Sequence, residues 1–175
     1  RKEKPDFAPT TQLEKRFPSV APGKRYRAVL FIEKEGFGPQ LQEAEIAERF
    51  DVAIMSTKGQ STVAARKFID RVCAKGNGCP LLVLHDMDKS GFEIAQRLTT
   101  ESLASLENDR CPYMFHNEID VRDIGIRWEH VEKYDLQPES CKMRGSLHGL
   151  DVTDAERHFL ESNRRVEINA LTSPQ

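Results

Sequence analysis

Two apolar runs constrain the fold of this chain more than anything else in it. Arg27-Ala-Val-Leu-Phe-Ile-Glu-Lys-Glu-Gly36 and Pro80-Leu-Leu-Val-Leu-His-Asp-Met-Asp-Lys-Ser-Gly91 each read as an unbroken apolar stretch of strand length that ends in carboxylates and then in a glycine. A strand that is apolar at every position, and not at alternate ones, is covered on both faces, which is the condition of a parallel strand between layers of helix. In open α/β sheets ligands bind outside the carboxyl ends of the strands. The runs therefore predict the scaffold, and their tips predict the site.

The rest of the chain supplies the crossovers. Phe37-Gly-Pro39 turns into a helix running to about Arg49, with Leu41, Ala44, Ala47 and Phe50 on one side. A short strand over 51–55 ends in the polar tip Ser56-Thr-Lys-Gly59, and Ala64, Ala65, Phe68, Ile69 and Val72 carry helical spacing up to the stop at Lys75-Gly-Asn-Gly78. After the strand Leu81 to His85, Ser90-Gly-Phe-Glu93 has the form of a capping box opening a helix. Pro112 to His116 reads as a fourth strand and Asp120 to Ile124 as extended chain or an edge. This alternation predicts an α/β fold, a doubly wound parallel sheet of about four strands with helices on both faces. Beyond it come a short helix over Arg127 to Tyr134, a loop over Leu136 to His148, a capped helix from Thr153 and a helical piece over Arg164 to Leu171. Residues 1–25, with Pro5, Pro9, Pro18 and Pro22, read as a linker or arm, 26–126 as the α/β domain and 127–175 as a helical extension. No initiator Met is present, and the chain reads as a piece of a longer protein.

The acidic tips carry the chemistry. Side chains at i and i+2 of extended chain project to the same side, so Asp86 and Asp88 are spaced to share one hard cation, with Glu33 as third ligand if its strand lies beside theirs. Carboxylates gathered at one sheet edge raise each other's pKa unless a cation neutralises them, and oxygen donors without Cys or His select Mg²⁺ or Mn²⁺ over Zn²⁺. Glu35 lies further past its strand and ranks behind Glu33. Lys34, Lys58 and Lys89 each sit within a few residues of a strand tip and can reach a phosphate, although each reads equally well as a surface lysine. His85 should face away from Asp86 as a packed or hydrogen-bonded core histidine. Phosphoaspartyl receivers and haloacid-dehalogenase-like phosphatases place a nucleophilic Asp at the end of the first strand, where this chain has Glu33.

Composition sets the outer limits. A net charge of −2 and a pI near 6.3 give no global attraction to nucleic acid, so any binding of a polyanion must be local. No apolar run approaches the roughly 20 residues of a membrane helix. The cysteines at 73, 79, 111 and 141 form no Cys-x-x-Cys pair and read as reduced thiols of a cytoplasmic protein.

A Glu at the end of a first strand, an Asp-x-Asp at the end of a later one and a following Gly resemble the Toprim domain of topoisomerases, primases and certain nucleases. Glu33-Lys-Glu-Gly36 and Asp86-Met-Asp-Lys-Ser-Gly91 are most similar to the version in the A subunit of topoisomerase VI and its meiotic double-strand-break relative. Ile124-Gly-Ile-Arg-Trp-Glu-His-Val-Glu-Lys-Tyr134, Leu136-Gln-Pro138 and Arg165-Val-Glu-Ile-Asn-Ala-Leu-Thr-Ser173 resemble that family's segments beyond the sheet. The resemblance implies a Toprim-like fold in which Glu33, Asp86 and Asp88 hold Mg²⁺ (or Mn²⁺); Lys34, Lys58 and Lys89 join the candidate catalytic set only by their nearness to the strand tips. It implies DNA as partner, and beyond DNA a second copy of the chain in a homodimer and an ATPase subunit. The activity it implies is phosphodiester cleavage of the strand-passage or double-strand-break type. In that family a tyrosine on an upstream winged helix attacks DNA, and Tyr26, Tyr113 and Tyr134 do not lie in such a domain. A hydrolytic Toprim nuclease of a defence system and a non-catalytic module binding DNA or a partner are the alternative readings.

Overall fold

The computed structural model of the chain describes residues 26–32, 35–56, 63–99 and 114–172. Its centre is a parallel sheet of β1 (Ala28–Ile32), β2 (Val52–Ser56), β3 (Leu81–Leu84) and β4 (Val121–Asp123) in the order β2-β1-β3-β4. All residues of β1 are buried, and alternate ones serve opposite faces. Val29 and Phe31 pack with Leu81 and Val83 against Ile69 and Cys73 on one side, joined there by Ala95 and Leu98. Ala28 and Leu30 pack with Val52 against Leu41 and Ile46 on the other. The continuous apolar run thus has its predicted cause, a layer of helix on each face: α3 (Val63–Val72) and α4 (Lys89–Thr99) on the first, α1 (Gly38–Glu43) and α2 (Ile46–Phe50) on the second.

Several expectations change. The helix expected from Pro39 to Arg49 is broken, because Glu45 takes a left-handed conformation at φ 52° and α2 starts afresh. On one straight helix Leu41 and Ile46 would lie about 140° apart at 3.6 residues per turn, and the break lets both reach the same core. Phe50, expected on the apolar side, is exposed. The fourth strand of the sheet is β4, paired with Leu81–Val83; of the strand expected over 112–116, residues 112–113 lie outside the described residues. Its described part, 114–116, is irregular chain entering a bend, and the backbone N–H groups of His116 and Asn117 donate to the buried carboxylate of Asp70 on α3, both at 2.9 Å.

Beyond the sheet come α5 (Trp128–Lys133), β5 (Glu139–Ser140), α6 (Asp154–Glu161), β6 (Arg164–Arg165) and a 3-10 turn over Ile168–Thr172. The stretch expected to be helical from Arg164 begins instead as β6, antiparallel to β5. Thr153 and Glu156 form the expected capping box of α6. Ile126, Val131, Leu136, Leu147, Phe159, Leu160, Val166 and Ile168 share one core with Ile32, Phe37, Met87 and Phe92, so these elements bury the end of β1 and the start of α4. No described helix is long and apolar enough to cross a membrane. Cys73, Cys79 and Cys141 are free thiols, and burial pushes Cys73 up to about 12, which keeps it inert.

Candidate metal centre

The chain crosses from β1 to β2 on one side and returns past β1 to β3 on the other, so the carboxyl ends of β1 and β3 flank the switch point of the sheet, where such folds bind ligands. Ile32 pairs with Leu84, which brings the end of β1 level with the end of β3, two residues before Asp86. Glu33 and Lys34 follow Ile32 in the chain and Lys58 follows β2, and all three lie outside the described residues.

Asp86 and Asp88 stand at this end, each tied to a backbone donor. Met87 makes a two-way bridge with Val166, its N–H to the Val166 carbonyl at 2.8 Å and the reverse at 3.2 Å. Ile168 N–H donates to Asp86 Oδ1 at 2.8 Å, and Asp86 is buried. Asp88 directly precedes α4, and its Oδ1 accepts from Gly91 N–H at 2.8 Å. Asp88, and not Ser90, therefore caps α4, where the positive end of the helix also favours its charge. Glu93, expected in the capping box, pairs instead with Lys89 and Arg97. Lys89 is thus a salt-bridged residue at the edge of the site.

Burial, followed by the charge of Asp86, outweighs Gly91 N–H, Arg165 and His85 and holds the Asp88 carboxyl above its ordinary pKa. A carboxylate held in this way beside a second one gains from a cation. Mg²⁺ is commonly held by one or two carboxylates with water completing its shell, so the donor chemistry of Asp86 and Asp88 fits a hard divalent ion. Among the described residues no group of three His, Cys, Asp or Glu side chains is gathered for a metal, so this pair is the described part of the expected set.

Behind the pair lies a network that sequence patterns did not expose. His85, fully buried as expected of a core histidine, places Nδ1 2.7 Å from the Asp86 carbonyl oxygen and Nε2 3.0 Å from Asp123 Oδ1. Both partners are acceptors, so the arrangement favours the ring with a proton on each nitrogen. Burial opposes that charge, but the bonds to Asp123 and to the Asp86 carbonyl prevail and raise its pKa. Asp123 is pushed up by burial and held below its usual range by His85, Gly125 N–H and Arg127. Arg127 bonds Asp123 Oδ2 at 3.2 Å and grips the buried Glu156 with Nε at 2.8 Å and a second guanidinium nitrogen at 3.0 Å. The capping-box spacing of Thr153 and Glu156 was legible; that Glu156 also anchors Arg127 was not.

A cleft of about 240 Å³ opens beside Asp88. Lys89, Lys142, Arg144, Arg164 and Arg165 line it against Asp88 and Glu93, so it is locally basic in a chain of net charge −2. Arg165 bonds Glu139 and Glu167, while its buried Nε has no acceptor among the described residues.

The family model for the Toprim domain of the topoisomerase 6 A subunit and Spo11 matches residues 28–174. The chain is 28% identical over 163 residues to the A3 subunit of DNA topoisomerase 6 of Oryza sativa subsp. indica, covering 83% of this chain and 35% of that protein. It is also 28% identical over 116 residues to the A subunit of type 2 DNA topoisomerase 6 of Methanothermobacter thermautotrophicus (65% of this chain, 31% of that protein). To the A subunit of DNA topoisomerase 6 of Arabidopsis thaliana it is 29% identical over 117 residues (66% and 26%). The chain therefore spans about a third or less of the length of these relatives. With the family model covering most of it, and a parallel four-stranded sheet carrying Asp86 and Asp88 at its switch point, the chain belongs to the Toprim family of the topoisomerase 6 A subunit and Spo11.

Proposed function

We propose that this chain is the metal-binding part of a DNA-cleaving protein, acting on the phosphodiester backbone with the help of Mg²⁺ or Mn²⁺. The observation that carries this reading is the placement of Asp86 and Asp88 together at the sheet's switch point, with a basic cleft opening beside Asp88. In this reading Asp86, Asp88 and Glu33 hold the ion, which when bound would stabilise charge developing on the scissile phosphate. Lys142, Arg144, Arg164 and Arg165 receive neighbouring phosphates, and Arg165 Nε offers a donor already removed from water. Lys34 and Lys58 follow β1 and β2 in the chain and belong to the same phosphate-binding set, with Lys89 shared between it and Glu93.

The relatives are named as A subunits, which extends the proposal to a partner subunit, an ATPase, and to pairing with a second copy. Cleavage by a tyrosine would leave protein attached to the cut DNA, whereas hydrolysis would leave it free, so the cut ends distinguish the two routes. The test of the site is Mn²⁺ binding followed by electron paramagnetic resonance, in which the free ion's six-line signal counts unbound metal. The chain should bind Mn²⁺ and melt at a higher temperature at millimolar metal, and Glu33→Gln and Asp86→Asn should lose both effects. Unchanged binding in both variants would overturn the assignment. Replacing Lys142 and Arg164 by Gln should lower the slope of DNA affinity against salt by about one unit for each phosphate no longer neutralised.

A further inference from the structure

His85 occupies a slot that only glycine permits. A Cβ at Gly91 would fall 2.5 Å from His85 Nδ1 and 2.4 Å from the Asp86 carbonyl oxygen, and a Cβ at Gly125 would fall 2.3 Å from His85 Nε2. The ring is therefore wedged between the first turn of α4 and the turn that follows β4, with the Phe92 ring edge-on at 5.2 Å. One nitrogen meets the backbone carbonyl of Asp86 and the other meets Asp123. Asp123 is held in turn by Gly125 N–H at 2.8 Å and by Arg127, whose guanidinium lies 5.0 Å from the Phe92 ring and is fixed by Glu156 of α6.

A histidine needed only to fill core volume would not require a glycine on both sides and an ordered acceptor at each nitrogen. This ring instead ties a backbone atom of the Asp86 turn to a series of charged groups that ends on α6. We infer that His85 is a positioning residue, and that the series His85–Asp123–Arg127–Glu156 fixes the backbone of the Asp86–Asp88 turn so that both carboxylates face one cation. The inference rests on the metal-binding reading above. Groups behind a metal's own ligands typically alter affinity by roughly 10- to 100-fold, which sets the scale to look for.

The experiment measures Mn²⁺ dissociation constants by electron paramagnetic resonance on the 175-residue chain, at a temperature where circular dichroism shows each variant folded. His85→Ala and Asp123→Asn should each weaken Mn²⁺ by about tenfold or more. His85→Asn, whose amide nitrogen sits near the place of Nδ1, should recover part of the loss. Glu156→Gln, remote from the turn, should weaken Mn²⁺ several-fold, and combining it with His85→Ala should add little, as members of one series do. If His85→Ala does not fold, Asp123→Asn and Glu156→Gln carry the test. Asp88→Asn is the control on the parent reading. If Asp88→Asn binds Mn²⁺ as the unmodified chain does, the metal site is wrong and the inference falls with it. If Asp88→Asn loses Mn²⁺ while the His85, Asp123 and Glu156 variants lower only the melting temperature and keep the Mn²⁺ constant, the series is merely structural and this inference alone is refuted.

Discussion

Replacing Glu156 by Ala should be among the most damaging single changes to this fold. The carboxylate accepts from Arg127 Nε at 2.8 Å and from its second nitrogen at 3.0 Å, from Trp128 N–H at 3.2 Å and from Thr153 N–H at 2.8 Å, and Glu156 is 1% exposed. Removing one partner of a buried ion pair costs about 3–5 kcal/mol, and loss of a helix cap about 1 kcal/mol. Arg127 keeps Asp123 and is 25% exposed, so water offsets part of its loss and the lower end applies, about 3–4 kcal/mol. At about 2–4 °C per kcal/mol for a chain of this size, the midpoint should fall by roughly 6–16 °C. The assay is built in: Trp128 is the only tryptophan, next to Glu156 and 5.2 Å from the Phe159 ring, so its fluorescence in urea reports unfolding of this region. Glu156→Gln preserves volume and one acceptor oxygen and should cost roughly half as much. Burial opposes the charge of Glu156, but the Thr153 and Trp128 N–H groups and Arg127 hold its pKa below the ordinary 4.5. Its contribution is therefore full above about that value and lost as pH falls through the folded pKa, so Glu156→Gln should flatten the acid limb of the stability profile. A loss under about 1 kcal/mol for Ala, or an equal loss for Gln, would refute the reasoning.

Gly91→Ala should destabilise the chain by about 1–3 kcal/mol in urea, through the clash with His85 and the Asp86 carbonyl, although Ala is the better helix former by about 1 kcal/mol; a gain in stability would mean the slot is loose. Because the Asp88 carboxyl is raised by burial and by Asp86, its ionisation costs stability as pH rises from 3.8 through the folded pKa. Asp88→Asn, which can still cap α4, should therefore raise the melting temperature of the metal-free chain at neutral pH, measured in chelator by differential scanning fluorimetry, and an unchanged or lower one would count against this. Asp70→Ala should cost about 2–3 kcal/mol in urea by orphaning the His116 and Asn117 N–H groups, and raise hydrogen exchange at those amides; unchanged exchange would show that the turn holds without it.

The sheet was legible because continuous burial leaves a mark on composition: Ala28–Ile32 and Leu81–Leu84 must be apolar on both faces whatever surrounds them. The acidic tips were legible for the same local reason, since Asp86 and Asp88 are two residues apart and follow the strand directly. β4 was harder, because a three-residue strand containing Arg122 and Asp123 has no period of its own and exists only through its pairing with β3. The break between α1 and α2 also depends on a surface outside the segment, the floor formed by Ala28, Leu30 and Val52.

Read alone, the chain determined an α/β scaffold and the strand end at which Asp86 and Asp88 stand, because both depend on spacing within a few residues. Tertiary structure decided how those donors are held. Ile168 reaches Asp86 across 82 residues, and His85, the segment holding both Asp123 and Arg127, and Glu156 meet from three separate stretches. In a linear pattern a charged side chain looks the same in water as in a buried pair; only folding, by removing the water, commits Glu156 to Arg127 and His85 to Asp123.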